Sequence, residues 1–342
     1  MYRELTDVVK GVVMARRGRP AGDAPRFGPS ELVLAGAVAR RHYLDGNSKV
    51  EIAEEFGISR FQVARILTEA RDRGWVKVEI TLPGHIDGEL SLRLRDALGI
   101  TDAVVVEAPA QPESASRDEI AGVVAGLLGE RVREGQVLGL TWSRTIEAMA
   151  GRLERLVPCT VVQLAGSIAV DGASSGTVEV VRSVAAVAGG TALPVYAPLV
   201  VEDAATAAAL RRQPEIARAL DRSESLDVAV VSVGGWGEGL STVWDAVTAA
   251  EREDALARGA VGESSGRLFD AAGRDVTGGF DDRVVGVRLD RLRATPEVIV
   301  TAYGVRRAEA ALAAVRGGFV TTLVVDAALA RRLLDLAGTS SS

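Results

Sequence analysis

The chain has almost none of the residues from which most catalytic and metal sites are built. In 342 residues there is one cysteine, Cys159, and two histidines, His42 and His85. A lone thiol excludes an intramolecular disulfide and fits a cytoplasmic protein. Two histidines far apart in sequence leave no metal-ligand cluster and no catalytic triad. No metal, no other cofactor and no catalytic residue is therefore expected. No apolar run reaches the ~18 residues needed to cross a membrane. The opening MYRELTDVVKGVVMARRGRP contains acidic residues and no long apolar stretch, unlike a signal peptide. There is no short-period repeat. The remainder, 47% hydrophobic and 25% charged, suits a globular chain with room for about two domains.

The most informative segment is Ser48 to Val76, SKVEIAEEFGISRFQVARILTEARDRGWV. Ser48 with Glu51 makes a capping box that opens a helix with Val50, Ile52, Ala53 and Phe56 as its apolar positions. Gly57 stands where the chain needs a left-handed residue to leave that helix. Ser59 with Gln62 makes a second capping box. The helix it opens puts Val63, Ile66, Leu67 and Ala70 on one face, and Arg60, Phe61, Ala64, Arg65 and Thr68 on the other. This is the pattern of a helix-turn-helix, whose second helix enters the major groove of double-stranded DNA. Ser59, Arg60, Phe61, Gln62 and Arg65 are the expected DNA-facing residues. The same pattern also suits a helical hairpin packed on the rest of the chain, with its arginines solvated.

A net charge of −6 argues against nucleic acid, but its distribution does not. Residues 1–80 hold 14 Lys+Arg against 11 Asp+Glu, and the remainder 26 against 35. A mildly basic head on an acidic body keeps the field positive where phosphates would dock. The basic excess is small, so affinity requires several subunits or several phosphate contacts.

Residues 1–29, rich in Gly, Pro and Arg, read as a flexible basic arm. Leu32–Leu44 reads as a helix behind the helix-turn-helix. Trp75–Leu82 alternates as a strand, ended by Pro83-Gly84, and closes a DNA-binding domain over 30–84. A linker helix lies within 85–99. Apolar strands then alternate with helices through residue 337, and 338–342 read as a disordered tail. Strands are expected at Ala103–Val106, Val137–Thr141, Thr160–Leu164, Leu193–Tyr196, Val228–Val233, Val284–Val287, Val298–Thr301 and Thr322–Val325. Helices are expected at Asp118–Arg133, Thr145–Leu156, Thr177–Ala188, Ala205–Arg222, Arg307–Val315 and Ala327–Ala337. Fully apolar strands alternating with helices imply an α/β, Rossmann-like, mostly parallel sheet domain covered on both faces.

Ligands of such sheets bind at the carboxyl ends of the strands. Thr141, Ser143, Arg144 and Thr145 occupy one end, where hydroxyls, a guanidinium and helix amides could hold a phosphate. Gln163 and Gly166 occupy a second end, suited to sugar hydroxyls. Gly234 allows close backbone approach at a third, and Arg307 supplies a cation at a fourth. Glu263 and Asp282 could hydrogen-bond a polyol or serve acid/base chemistry. Each of these has a plainer reading as an ordinary turn, cap or solvated charge.

Taken in order, EIAEEFGISRFQVARIL, GLTWSRT, QLAGS, APLVVED, VVSVGGW, GAVGESSGRLFDAAG, DDRVVGV and VRGGFVTTLVVDAALARRLL resemble the SorC family of bacterial sugar-responsive transcription regulators. The resemblance covers about residues 31–337. It implies a body similar in fold to ribose-5-phosphate isomerase and glucosamine-6-phosphate deaminase, acting as a sensor. It implies a sugar or sugar-phosphate effector and a homo-oligomer, typically a tetramer. It places the phosphate loop on Thr141, Ser143, Arg144 and Thr145, and sugar contacts near Gln163, Glu263 and Asp282. Where the family commonly has a lysine, this chain has Arg307; where it often has asparagine, this chain has Asp281. The expected function is a regulator whose operator affinity is set by a bound sugar-like metabolite. The alternatives are a sugar-phosphate isomerase or deaminase carrying a DNA-binding head, and a helix-turn-helix with no DNA role.

Overall fold

The structure, a computed structural model, describes residues 28–77, 85–107, 113–168 and 176–339. The arm expected before residue 28, residues 78–84 of the expected strand and its end, and the last three residues lie outside the described ones. The chain divides into two compact units, Met1–Ile80 and Thr81–Ser342.

In the first unit, α1 (Pro29–Tyr43), α2 (Lys49–Phe56) and α3 (Arg60–Asp72) follow one another closely. Pro29 opens α1, where a missing N–H is no loss. Both capping boxes form. The Ser48 N–H donates to Glu51 Oε2 at 2.7 Å, and the Glu51 N–H donates back to Ser48 Oγ at 3.3 Å. The Ser59 N–H donates to Gln62 Oε1 at 2.9 Å, and the Gln62 N–H to Ser59 Oγ at 3.2 Å. Gly57 ends α2 at φ 62°, in the left-handed region. The inward stripes then meet: Val38, Ala39, Ile52, Val63 and Leu67 form one buried cluster, with Tyr43, Phe56, Ile58 and Ile66 packed against it.

The second unit is built on a parallel sheet. Its strands are β1 (Asp102–Val106), β2 (Val137–Leu140), β3 (Thr160–Gln163), β4 (Thr191–Leu193), β5 (Val228–Ser232), β10 (Glu297–Ala302) and β11 (Thr322–Asp326), in the order β1-β11-β10-β5-β2-β3-β4. Strand residues alternate between two apolar layers. Leu138, Val161, Val228, Val230, Ile299 and Val324 face the helices α5 (Glu113–Arg131), α6 (Arg144–Ala150) and α7 (Thr177–Ala188). Val137, Val162, Ala229, Val231, Val300 and Leu323 join the opposite layer, with residues of α4 (Gly88–Leu98), α9 (Pro214–Arg222), α13 (Ala308–Arg316) and α14 (Ala327–Thr339). Period-two burial with both sides covered is why these strands read as unbroken apolar runs.

Five elements differ from the sequence expectation, three of them for local reasons. Pro214 lacks an N–H, so the helix expected over 205–222 becomes α8 (Ala204–Arg211) and α9, with Pro214 opening the second. The helix expected to reach Leu156 stops at Ala150, capped by Gly151. β4 ends at Leu193 because Pro194 cannot donate to the ladder. Val284–Val287 makes only isolated bridges, Val200 to Val284 and Ala165 to Gly286. The last helix also runs on to Thr339, past the start of the expected tail.

A second, antiparallel sheet went unexpected: β6 (Gly234–Gly235), β7 (Ala260–Ser264), β8 (Arg267–Asp270) and β9 (Asp275–Val276). These strands are two to five residues long and glycine-rich, so they carry no apolar alternation. With α10 (Thr242–Ala246) and α11 (Ala249–Ala257) they enclose a third cluster around Trp236, Leu268 and Phe280. Trp236 stacks on Phe280 at 5.6 Å and meets the edge of Trp244 at 5.3 Å. Arg267, 4% exposed, ties the sheet to residues 281–287, which lead into α12 (Leu289–Ala294). Its guanidinium pairs with Asp281 at 2.8 Å and donates to the carbonyls of Asp281, Val284, Gly286 and Val287.

Candidate functional site

From β2 the chain proceeds outward to β3 and β4; from the neighbouring β5 it proceeds the other way, to β10 and β11. The connections therefore diverge between β2 and β5, which leaves a crevice at their carboxyl ends, the usual ligand position in such sheets. A cleft of about 450 Å³ lies there. Its walls come from the loop after β2, the ends of β5 and β10, and the antiparallel sheet.

Three strand ends are tied by hydroxyls. Ser232 Oγ, ending β5, donates to Ser143 Oγ at 2.7 Å and lies 2.7 Å from Thr301 Oγ1 of β10. Ser143 caps α6, accepting from the Ile146 N–H at 3.1 Å. Arg144 follows it, exposed and without a hydrogen bond or ion pair among the described residues. Arg307 enters from the turn after β10. It donates to the carbonyls of Tyr303 (2.9 Å), Leu240 (3.3 Å) and Gly239 (3.4 Å), and its guanidinium sits 4.8 Å from the Tyr303 ring centroid. No carboxylate neutralises it among the described residues. Asp326 braces that turn by accepting from the Gly304 and Leu329 N–H groups.

On the far wall Glu263, 7% exposed, accepts from Ser241 Oγ at 2.8 Å and the Gly266 N–H at 3.0 Å. Burial pushes its carboxyl pKa up, against the pull of those two donors. The glycines near it are steric requirements. A Cβ on Gly234 would lie 2.7 Å from Glu263 Oε1, and one on Gly166 would lie 2.4 Å from the Pro198 carbonyl oxygen. Ser265 and Gly266, both at positive φ, form the two-residue turn between β7 and β8 that holds Glu263 at the cleft.

Of the residues singled out by sequence, Thr141, Ser143, Arg144, Thr145, Gly166, Gly234, Glu263 and Arg307 line this cleft. Gln163 and Asp282 do not. Gln163 is 0% exposed, and its amide is consumed by the backbone: Nε2 donates to Ala165 O at 2.7 Å, and Oε1 accepts from the Val195 N–H at 3.0 Å. Asp282 borders a separate recess with Arg211 and Arg288, beside the buried Asp281. Other polar residues of the cleft were not singled out by sequence, among them Ser232, Ser241, Asp245 and Tyr303. Only Ser232 carried a signal, as a polar residue ending the apolar run VAVVS. Burial raises the Cys159 thiol pKa as well, away from the thiolate a nucleophile needs. Among the described residues no group of three or more metal-ligating side chains occurs.

In the first unit, Arg60, Phe61 and Arg65 stand exposed on α3. Neither arginine has a carboxylate partner among the described residues. By contrast, Arg41 pairs with Asp45 and Glu55, and Arg73 with Glu69. Gln62 and Ser59 are already engaged with each other's backbone, so the Gln62 amide has only its NH₂ free to donate.

Residues 86–335 match the Sugar-bind family model, described as a "Putative sugar-binding domain". The chain is 26% identical over 306 residues to the deoxyribonucleoside regulator of Bacillus subtilis (strain 168), covering 88% of this chain and 97% of that one. It is 29% identical over 308 residues to the transcriptional regulator YjhU of Escherichia coli (strain K12), covering 86% and 92%. Its fold matches the crystal structure of the full-length sorbitol operon regulator SorC of Klebsiella pneumoniae, with TM-score 0.68, 21% identity, and coverage of 90% of this chain and all of that one. All three are named as regulators, and none as the isomerase or deaminase considered above. With a sugar-binding-domain match spanning most of its length, the chain belongs to the SorC family of sugar-responsive transcription regulators.

Proposed function

We propose that this chain is a cytoplasmic regulator that reads double-stranded operator DNA with α2 and α3 and takes a sugar or sugar phosphate into the cleft at the β2–β5 divergence. The observation that carries this reading is the polarity of the cleft. Arg144 and Arg307, unneutralised, and the hydroxyls of Thr141, Ser143 and Thr145 gather on one side. Glu263, a buried hydrogen-bond acceptor, stands on the other. An anionic group suits the first side and ligand hydroxyls suit the second. On α3 the proposed DNA-facing residues are Ser59, Arg60, Phe61 and Arg65, with Gln62 donating through its NH₂ only.

One head offers few base contacts, so the working form is a homo-oligomer; the family resemblance makes it a tetramer. Paired heads read half-sites about 34 Å, or a multiple of that, apart. Effector binding shifts operator affinity through differential binding to two arrangements of the assembly.

The test is a thermal-shift screen of sugar phosphates, polyols and the parent free sugars, followed by gel-shift titration with and without each hit. A specific effector raises the melting temperature by mass action and changes operator affinity. If no sugar-like compound raises the melting temperature, the effector reading fails; if a hit leaves DNA binding unaltered, the coupling fails.

A further inference from the structure

Phe61 is 72% exposed, the second residue of α3, within reach of a helical hairpin whose core already shelters Phe56 and Ile58. Leaving a phenyl ring in water forgoes burial that the folded chain would otherwise gain. The ring is not an isolated apolar residue. The Arg60 guanidinium lies 5.0 Å from its centroid. Residues three, four and seven positions on, sharing its face, are Ala64, Arg65 and Thr68. The outward front of α3 is thus an apolar ring and a small residue flanked by two unneutralised cations.

A fitting partner presents anionic groups on two sides and a small apolar group between them, recessed enough to receive a helix end. The major groove with a thymine at its floor has that chemistry. Phosphates flank the groove, and the thymine 5-methyl is the only apolar group that any base pair displays there. We infer that Phe61 is a specificity-determining residue that reads the 5-methyl group of one thymine in each half-site. Arg60, stacked on the ring, is held at the adjoining base edge or phosphate. The inference rests on the DNA reading of α2 and α3 given above and adds the chemical group being read.

The full-length chain is used to enrich binding duplexes from a random-sequence library, and the enriched duplex is the probe. Each thymine is replaced singly by deoxyuridine, which lacks only the methyl group. Gel-shift titrations are then run with the parent, Phe61→Ala and Phe61→Leu. At one thymine per half-site the parent should bind the uridine duplex about fourfold more weakly, the worth of one buried methyl-sized group. Phe61→Ala should bind both duplexes equally, and Phe61→Leu should restore part of the difference. An unchanged melting temperature in Phe61→Ala shows that the exposed ring is not a folding residue.

The inference is overturned if every uridine substitution is neutral for the parent, or if the thymine–uridine difference persists in Phe61→Ala. It is also overturned if Phe61→Ala lowers the association state in sedimentation, which would make the ring a contact between copies of the chain. Failure to enrich any duplex would remove the DNA reading itself, and this inference with it.

Discussion

The two units place their polar chemistry in opposite ways. In the first, the chemically distinctive residues point outward from one short helix: Arg60, Phe61 and Arg65 lie within six residues, on a backbone fixed by caps at both ends of the turn. In the second they point inward, and no short segment holds the site. Ser143 and Ser232 are 89 residues apart, and Ser232 and Thr301 are 69 apart, yet they meet at hydrogen-bond distance. An outward surface tolerates loss of a side chain without loss of fold. A convergent cleft depends on the packing that brings its parts together.

That contrast can be broken most severely at Arg267. Removing one partner of a buried, hydrogen-bonded ion pair leaves the other charge stranded. Arg267→Ala should therefore destabilise the second unit by about 3–5 kcal/mol. Denaturant unfolding followed at the Trp236 and Trp244 fluorophores measures this. A change under 1 kcal/mol would show that Asp281 finds another partner, Arg288 at 3.6 Å being the nearest candidate.

At the cleft itself, Arg144→Ala should weaken the best phosphorylated ligand by about 1.5–3 kcal/mol, the range for a hydrogen bond to a charged group. Melting without ligand and operator binding without ligand should both be unaltered. Calorimetry on parent and variant checks this, and equal affinity would exclude Arg144 from the site.

On the outward surface, Arg60→Ala should cost about 1–3 kcal/mol at the enriched duplex while preserving the melting temperature. Gln62→Ala is a poorer probe, because its Oε1 also caps the Ser59 N–H. Indiscriminate loss of affinity for all duplexes in Arg60→Ala would assign this arginine to phosphate rather than to a base.

The smallest expected effect is a slope. Glu263 has a folded pKa above its ordinary value of 4.5, with burial as the cause. Just above that value the folded chain retains a proton that the unfolded chain has released. Stability from this group is therefore full below pH 4.5 and is lost as pH rises through the raised pKa. Glu263→Gln should flatten that part of the stability–pH curve. An identical curve for parent and variant would mean that Glu263 titrates normally.

The same contrast governs what the sequence disclosed. Ser48, Glu51, Gly57, Ser59 and Gln62 act on neighbours three residues away, so their spacing alone located both helices and the turn. The parallel sheet was legible too, because its inner strands carry continuous apolar runs, whereas the short edge strand β4, partly exposed, was expected at Leu193–Tyr196 and lies at Thr191–Leu193. The cleft was legible only in part. Strand-end positions marked Thr141, Ser143, Arg144 and Arg307, but they could not show that Gln163 would spend its amide on Val195, 32 residues on. Nor could they show that Asp282 would face another recess. The antiparallel sheet was missed because glycines and two-residue strands leave no period to read. Its contribution, Glu263 held by Ser241, was marked in the sequence by its motif alone.

The row of hydroxyls across the strand ends sorts ligands by which partner owns the proton. Ser143 Oγ already receives two hydrogen bonds, from the Ile146 N–H and from Ser232. Its own proton is thus the one left to give. Ser232, having spent its proton on Ser143, can take one from Thr301. The three O–H bonds then run in one sense, each polarising the next toward the cleft. A ligand atom that accepts is met by the combined pull of the row, whereas one that must donate meets an oxygen whose lone pairs are taken. Around pH 6, where a phosphate monoester passes from dianion to monoanion, this end of the cleft should favour the ligand that has shed its last proton.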